Sequence, residues 1–125
     1  MKELTRAEDQ VMKVLWEIEK GVIHDIIDKI PSPKPAYNTI STIVRILEKK
    51  GFVDHKAYGK THEYFPIINK TIYSNFYMKN FMSGYFNNSF QNMVSFFAKE
   101  NNLSITELDE LMKNVKDDLN KEKDE

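Results

Sequence analysis

The stretch that decides the fold runs from Tyr37 to Lys56 and reads YNTISTIVRILEKKGFVDHK. Its apolar residues recur at steps of three and four, which places them on one side of a helix. They are Ile40, Ile43, Val44 and Leu47. Gly51 is expected to end this helix, because glycine readily adopts the left-handed conformation that often follows a last helical turn. Phe52 and Val53 then begin a strand. The stretch therefore predicts an amphipathic helix that leads through a turn into a β-strand.

Two further helices are predicted upstream of this stretch. Thr5 and Glu8 have the spacing of a capping box, in which the two residues reciprocally satisfy backbone donors at a helix start. The first helix is expected to end at Gly21. A shorter helix follows, with an isoleucine stripe at Ile23, Ile26, Ile27 and Ile30. The proline-rich segment 31–35 is a stiff connector, since each proline disfavours helical conformation in the residue before it.

A β-hairpin is predicted downstream. Its turn lies at residues 58–60, its second strand runs from Thr61 to Phe65, and Pro66 ends it. Three helices followed by a hairpin form the winged variant of the helix-turn-helix, whose third helix lies in the DNA major groove while the wing contacts the neighbouring backbone. The predicted fold is mainly α with a small β wing. It comprises a winged helix-turn-helix DNA-binding domain over residues 1–66 and a helical dimerisation region over residues 67–125.

The outer face of the third helix has side chains suited to reading DNA. Asn38, Ser41 and Thr42 are short and can hydrogen-bond to phosphates or base edges. Arg45 can bind a guanine through two hydrogen bonds, and His55 is expected near phosphates on the wing. The lysines expected to contact phosphates are Lys49, Lys50, Lys56 and Lys60. The alternative is an ordinary solvated helix face.

Charge is distributed unevenly along the chain. The formal net charge is −1, but residues 34–62 carry six basic and two acidic side chains, a local charge of +4. Residues 99–125 carry five lysines and nine acids, a local charge of −4. A local basic patch, rather than the total charge, is what matters for binding phosphates. The charge pattern therefore favours a nucleic-acid contact around the third helix and the wing.

Aromatic residues are concentrated after residue 66. Nine of the fourteen Phe and Tyr residues lie between positions 67 and 97. That apolar surface is too large for lone helices to leave in water, which favours a dimerisation core. Stacking on single-stranded nucleic acid is the alternative. The residues predicted for dimerisation are Tyr73, Phe76, Tyr77, Phe81, Phe86, Phe90, Leu108, Leu111, Met112 and Val115.

The composition argues against several other classes. Without Cys, the chain has no disulfide and no thiolate metal site. His24, His55 and His62 lack the spacing of metal ligands, so no metal site is predicted. No cofactor motif, small-molecule site or catalytic constellation is recognised, and the chain is predicted not to be an enzyme. A charged N-terminus and the lack of a long apolar run predict a soluble cytoplasmic protein.

Several segments resemble the penicillinase-repressor family. They are LTRAEDQVMKVLW from Leu4, TIST from Thr39, LEKKG from Leu47 and DHKAYGKTHEYF from Asp54, with weaker similarity through the C-terminal helices. The resemblance implies a homodimeric transcriptional repressor on a palindromic operator, with Thr39 beside Ser41, Thr42 and Arg45 in or next to the major groove. It also implies control of a β-lactam-resistance or related stress operon. A membrane sensor-protease system would relieve repression through cleavage of the C-terminal lobe.

Three positions depart from the family pattern. Ala36 stands where the family often has Ser at the start of the third helix, and the family's usual Arg falls at Ile46 rather than Arg45. The family's cleavage site has Asn before Phe, whereas the aligned pair here, the candidate proteolysis site, is Phe96 and Phe97. A winged-helix module that grips a partner protein through its aromatic C-terminal lobe is the alternative function.

Overall fold

The computed structural model describes residues 1–123 and contains six helices and one two-stranded sheet within them. The order is α1 (Arg6–Ile18), α2 (Ile23–Lys29), α3 (Tyr37–Lys49), β1 (Val53–Tyr58), β2 (Thr61–Pro66), α4 (Lys70–Phe86), α5 (Phe90–Glu100) and α6 (Ile105–Lys123). The strands pair antiparallel, from Val53 opposite Pro66 to Tyr58 opposite Thr61. The predicted winged helix-turn-helix, mainly α with a small β wing, is therefore confirmed.

The ends of α1 follow local chemistry. The Thr5 hydroxyl accepts from the Glu8 N–H at 3.2 Å, and the Glu8 carboxylate accepts from the Thr5 N–H at 2.9 Å, as predicted for a capping box. The helix ends before Gly21, because Glu19 turns the chain with a φ of 71°. Gly21 serves a different purpose. It pairs with Tyr64 of the wing through two backbone hydrogen bonds, and a Cβ there would lie only 2.9 Å from Ile18 Cδ1.

The core of the winged helix lies between α1, α2, α3 and β1. Its fully buried side chains are Val11, Met12, Leu15, Ile26, Val44, Leu47 and Val53. Gly51 has a φ of 82° and follows α3, and the Phe52 N–H reaches back to the Leu47 carbonyl at 3.0 Å. This is the glycine-terminated helix end that the sequence predicts. The turn places α3 and the wing next to each other on one side of the domain.

The chain divides into two compact units, Met1–Met78 and Lys79–Glu125. The first unit extends past residue 66 because the start of α4 packs on the winged-helix core. Tyr73 is 5% exposed, its hydroxyl accepts from the Leu4 N–H at 2.9 Å, and its ring lies 5.8 Å from those of Trp16 and Phe52. Tyr73 is thus a core residue of the first unit, although the aromatic pattern predicts it for dimerisation.

The second unit is built from the end of α4, α5 and α6. Asn87 and Asn88 turn the chain with φ values of 49° and 62°, and Ser89 caps α5 by accepting from the Asn92 N–H at 3.1 Å. Neither α5 nor α6 buries a residue within the part of the chain that the structure describes. Met82 at the end of α4 is buried, but many apolar side chains of α5 and α6 stay exposed in a single copy of the chain.

Candidate nucleic-acid interface

Helix α3 presents a continuous polar strip to solvent. Asn38, Thr42, Arg45 and Lys49 are all exposed, and at about 100° per residue they fall within about 60° of one another around the helix axis. Thr39 is also exposed, farther around the helix. The opposite side of α3 is anchored in the core. The strip is therefore held rigidly by the domain while its polar ends remain available to a partner.

Two of the short polar residues differ from the sequence prediction. Ser41 is only 7% exposed, because it sits at the edge of the strip nearest the core. The helical pattern predicts it on the outer face, whereas the structure leaves little of it exposed; a role in DNA contact stays a prediction. The Thr42 hydroxyl donates to the Asn38 carbonyl at 2.9 Å, so its proton is already committed within the helix. Asn38 and Arg45 are thus the side chains of the strip that are best suited to reading base edges.

Two of the six basic side chains in residues 34–62 make hydrogen bonds or ion pairs within the folded domain. The Lys34 ammonium donates to three carbonyls at the end of α2, the shortest bond being 2.6 Å to Ile30. The Lys50 ammonium donates to the buried Glu8 carboxylate at 2.8 and 3.0 Å. The sequence predicts that Lys50 contacts phosphates, whereas in the structure its ammonium is paired with Glu8. Phosphate contacts of Arg45, Lys49 and the wing lysines stay a prediction.

Glu8 gives this ion pair a pH dependence. Burial raises the pKa of the Glu8 carboxyl, but hydrogen bonds from Lys50 and Thr5 outweigh burial and leave the pKa below its ordinary value of 4.5. A carboxyl whose pKa is lowered by folding stabilises the protein above the pKa of the unfolded chain, and that stabilisation is lost as the pH falls through the folded pKa. Acidification below pH 4.5 is therefore expected to weaken the contact between α1 and the end of α3.

The adjacent lysines Lys49 and Lys50 are expected to respond differently to alanine substitution. Lys50→Ala leaves the buried Glu8 carboxylate without its cation and should lower the free energy of unfolding by about 2 kcal/mol, less than a fully buried pair because Lys50 is partly exposed. Lys49→Ala should leave stability unchanged within about 0.5 kcal/mol and weaken DNA binding. Urea denaturation and DNA titration of both variants measure this. Equal stability of the two would contradict the assignment.

The wing carries two exposed lysines. Lys56 lies on β1, and its ammonium sits 5.4 Å above the ring of Tyr58. Lys60 follows Gly59, which turns the hairpin with a φ of 63°. Between α3 and the wing runs a cleft of about 440 Å³, whose lining includes Arg45, Lys60 and Tyr64. Arg45 of the strip and Lys60 of the wing therefore border the same cleft.

A group of acidic and imidazole side chains lies at the junction of α3 and β1. Glu48, Asp54 and His55 each point a potential ligand atom into one small region, and those atoms all lie within 4.8 Å of one another. His55 Nδ1 contacts the Glu48 carboxylate, and the His55 ring stacks on His62 with centroids 4.1 Å apart. The histidine spacing alone predicts no metal site. The three residues meet because a turn folds β1 back along α3.

Three exposed residues of this surface are absent from the sequence prediction. Tyr37 and Ile46 on α3 are 48% and 40% exposed, and Tyr58 on the wing is 54% exposed. Ile46 lies within the exposed arc of α3. As an apolar residue on the polar face, it is a signal that the sequence itself contains. Aliphatic and aromatic side chains of this kind contact thymine methyl groups and sugars. The exposed parts of α3 and the wing thus carry polar, basic and apolar side chains.

The residues predicted for dimerisation divide between the two units. Phe76, like Tyr73, packs against the winged-helix core, whereas Tyr77 is 46% exposed. Phe81, Phe86 and Leu108 are half-buried within the second unit. The exposed ones are Phe90 at 70%, Leu111 at 50%, Met112 at 44% and Val115 at 42%. The candidate cleavage residues Phe96 and Phe97 lie within α5 and are 54% and 62% exposed.

Within residues 1–123, no helix is long and apolar enough to cross a bilayer.

The chain matches the family model described as penicillinase repressor over residues 4–117. The methicillin resistance regulatory protein MecI of Staphylococcus aureus is 31% identical over 110 residues, which cover 87% of this chain and 89% of MecI. The penicillinase repressor of Bacillus licheniformis is 28% identical over 127 residues, covering 98% of this chain and 96% of that protein.

Among solved structures, the DNA-binding domain of the repressor BlaI has 30% sequence identity to this chain and a TM-score of 0.49. The structural match covers 58% of this chain and 94% of the BlaI domain. The two relatives are named as a regulatory protein and a repressor. The family match extends beyond the winged helix into α6, so it includes both units. This chain therefore belongs to the penicillinase repressor family of DNA-binding transcriptional repressors.

Proposed function

We propose that the chain represses transcription as a homodimer that binds a palindromic operator through α3 and the wing. The observation that carries this proposal is the exposed strip of Asn38, Thr42, Arg45 and Lys49 beside a wing bearing Lys56 and Lys60. Such a strip fits the major groove, while the wing lysines suit phosphates on the adjacent backbone. Two copies related by a twofold axis would read two half-sites one helical turn, or a multiple of it, apart.

Selection of binding sequences from a random duplex pool tests this proposal. The protein is expected to enrich a twofold-symmetric motif, because each subunit of a homodimer reads the same half-site. A pool that remains random after repeated selection would argue for non-specific binding and against a repressor role. If the chain were also monomeric at micromolar concentration, the module that grips a partner protein would be the better account.

Arg45 and Lys60 are expected to contribute differently to binding. Arg45→Ala should cost about 1–3 kcal/mol at the selected site and little on random DNA, because a bidentate contact to guanine carries sequence information. Lys60→Ala should weaken both by similar factors and reduce the salt dependence by about one counterion, because a phosphate contact is the same at every sequence. Titrations of both variants with the selected and the random DNA, at several salt concentrations, measure these differences. Equal loss of specificity in both variants would contradict these roles.

Dimerisation is assigned to the second unit because many of its large apolar side chains, among them Phe90, Leu111 and Met112, are exposed within one copy. Residues of α5, α6 and the loop between them line an apolar groove of about 320 Å³. They are Met93, Val94, Phe97, Ala98, Leu103, Leu108 and Leu111. Along α6, Leu108, Leu111, Met112 and Val115 continue at the three- and four-residue steps of a helix–helix seam. A second copy of the same surface would cover these side chains and bring two winged helices onto one operator.

Relief of repression by proteolysis is a further part of the proposal, supported by the family membership. The Phe96–Phe97 bond lies inside α5, so a protease must first unfold this helix locally to bind the backbone in extended form. Exposure of both side chains favours such access. The regulated genes would then be a resistance or stress operon under a membrane sensor-protease. Mass spectrometry of the chain from induced cells tests this, and an intact chain during full derepression would exclude cleavage as the signal.

A further inference from the structure

The junction between the recognition helix and the wing has the donor atoms of a metal site. Glu48 belongs to the last turn of α3, whereas Asp54 and His55 belong to β1. Their potential ligand atoms lie within 4.8 Å of one another. Donor atoms about 2.1 Å from a tetrahedral ion lie about 3.4 Å apart, so small side-chain adjustments complete the geometry. Two separate elements therefore supply a nearly formed three-ligand cluster.

The cluster is both oriented and accessible. The Asp54 carboxylate accepts from the His55 N–H at 2.7 Å, which fixes its position, and stacking on His62 fixes the plane of the His55 ring. The side chains of Glu48 and His55 are each 30% exposed. An ion can thus reach the three donor atoms from solvent. Three protein ligands with an open position are characteristic of exchangeable sites rather than closed structural ones.

The charge balance favours a divalent ion over a simple ion pair. The two carboxylates bring two negative charges to the cluster. A divalent ion bound to neutral imidazole and both carboxylates brings the local charge to zero. One nitrogen and two oxygen donors suit Zn²⁺ and similar first-row transition ions better than Mg²⁺ or Ca²⁺, which prefer oxygen ligands alone.

We propose that Glu48, Asp54 and His55 bind a divalent transition-metal ion that joins α3 to the wing and strengthens DNA binding. The two carboxylates are close in the chain to Lys49 and Lys56. Neutralising them increases the positive potential that faces the phosphates. The ion also restrains the wing relative to the helix. The effect on DNA rests on the proposed function, whereas metal binding itself does not.

Metal binding is tested on the full chain after chelator treatment, with Zn²⁺ in calorimetry and Co²⁺ as a spectroscopic probe. One equivalent per chain is expected, with the d–d bands of a low-symmetry cobalt site. His55→Ala and the near-isosteric Glu48→Gln should weaken binding by about tenfold or more. His24→Ala is the matched control, because His24 lies on α2 beside Tyr37, and it should bind as the parent does. Absence of saturable binding, or equal affinity in His55→Ala, would overturn the site.

The coupling to DNA is tested separately, with circular dichroism confirming that each variant is folded. Saturating Zn²⁺ should raise DNA affinity by about fivefold at physiological salt, comparable to one added phosphate contact, and should have no effect on Glu48→Gln. If Zn²⁺ binds and DNA affinity does not change, the coupling is contradicted. If the chain binds no DNA under any condition, the proposed function fails, while the metal titration still decides the site.

Discussion

Replacing Tyr73 by alanine is expected to lower the free energy of unfolding of the first unit by about 4 kcal/mol. The side chain is 5% exposed and contacts the rings of Trp16 and Phe52, so its removal leaves a cavity as well as an unpaired Leu4 N–H. A loss of that size is a large part of the stability of a small domain. Tyr73→Phe removes only the hydroxyl and should cost about 1 kcal/mol.

The measurement is urea denaturation followed by fluorescence of Trp16, the single tryptophan of the chain. Its ring lies 5.8 Å from Tyr73, so it reports directly on this part of the core. Tyr77→Ala is the matched control, because Tyr77 follows one turn later on α4 and is 46% exposed. It should cost less than about 1 kcal/mol. An unchanged midpoint for Tyr73→Ala, together with loss of dimerisation, would show that Tyr73 belongs to the subunit interface instead.

Leu111→Glu is expected to make the chain monomeric at micromolar concentration and to weaken operator binding by about a hundredfold. The leucine is 50% exposed and lines the apolar groove of the second unit, where a buried unpaired carboxylate is costly. Two linked winged helices gain affinity because the second half-site is bound intramolecularly. Once the dimer dissociates, each half-site must be bound alone.

Sedimentation equilibrium and DNA titration of this variant give the two readouts. Lys113→Glu is the control, because at about 100° per residue Lys113 lies on the side of α6 away from Leu111. This substitution also changes the net charge more than Leu111→Glu does. It should remain dimeric and bind the operator nearly as tightly. A Leu111→Glu chain that stays dimeric would place the interface elsewhere, and a monomeric parent chain would remove the basis for a palindromic operator.

The features predicted correctly from the sequence depend on local chemistry. The Thr5–Glu8 capping box acts over three residues, Gly51 ends α3 through its own backbone conformation, and the hairpin turn follows from Gly59. The alternation of residues along the strands and the apolar stripe of α3 are likewise sequence patterns with short periods. Such signals survive folding because tertiary contacts reinforce them rather than compete with them.

The features that the sequence did not reveal depend on tertiary contacts, some of them between residues far apart in the chain. Lys50 pairs with Glu8 across 42 positions, and the Tyr73 hydroxyl meets the Leu4 N–H across 69 positions. Neither partner can be identified from spacing alone. Ser41 is buried because it lies at the margin of the polar face, where the packing of neighbouring elements decides exposure. Glu48, Asp54 and His55 converge only because β1 folds back along α3.

The ratio of dissociation constants for the selected duplex and for a shuffled duplex of equal length tests the central claim most directly. Both are measured by fluorescence anisotropy at about 150 mM salt, where non-specific binding is weakened by counterion competition. A repressor that reads sequence through α3 should bind the selected duplex about a thousandfold more tightly or better. A ratio close to one would contradict the assignment of α3 and the wing as a sequence-reading surface.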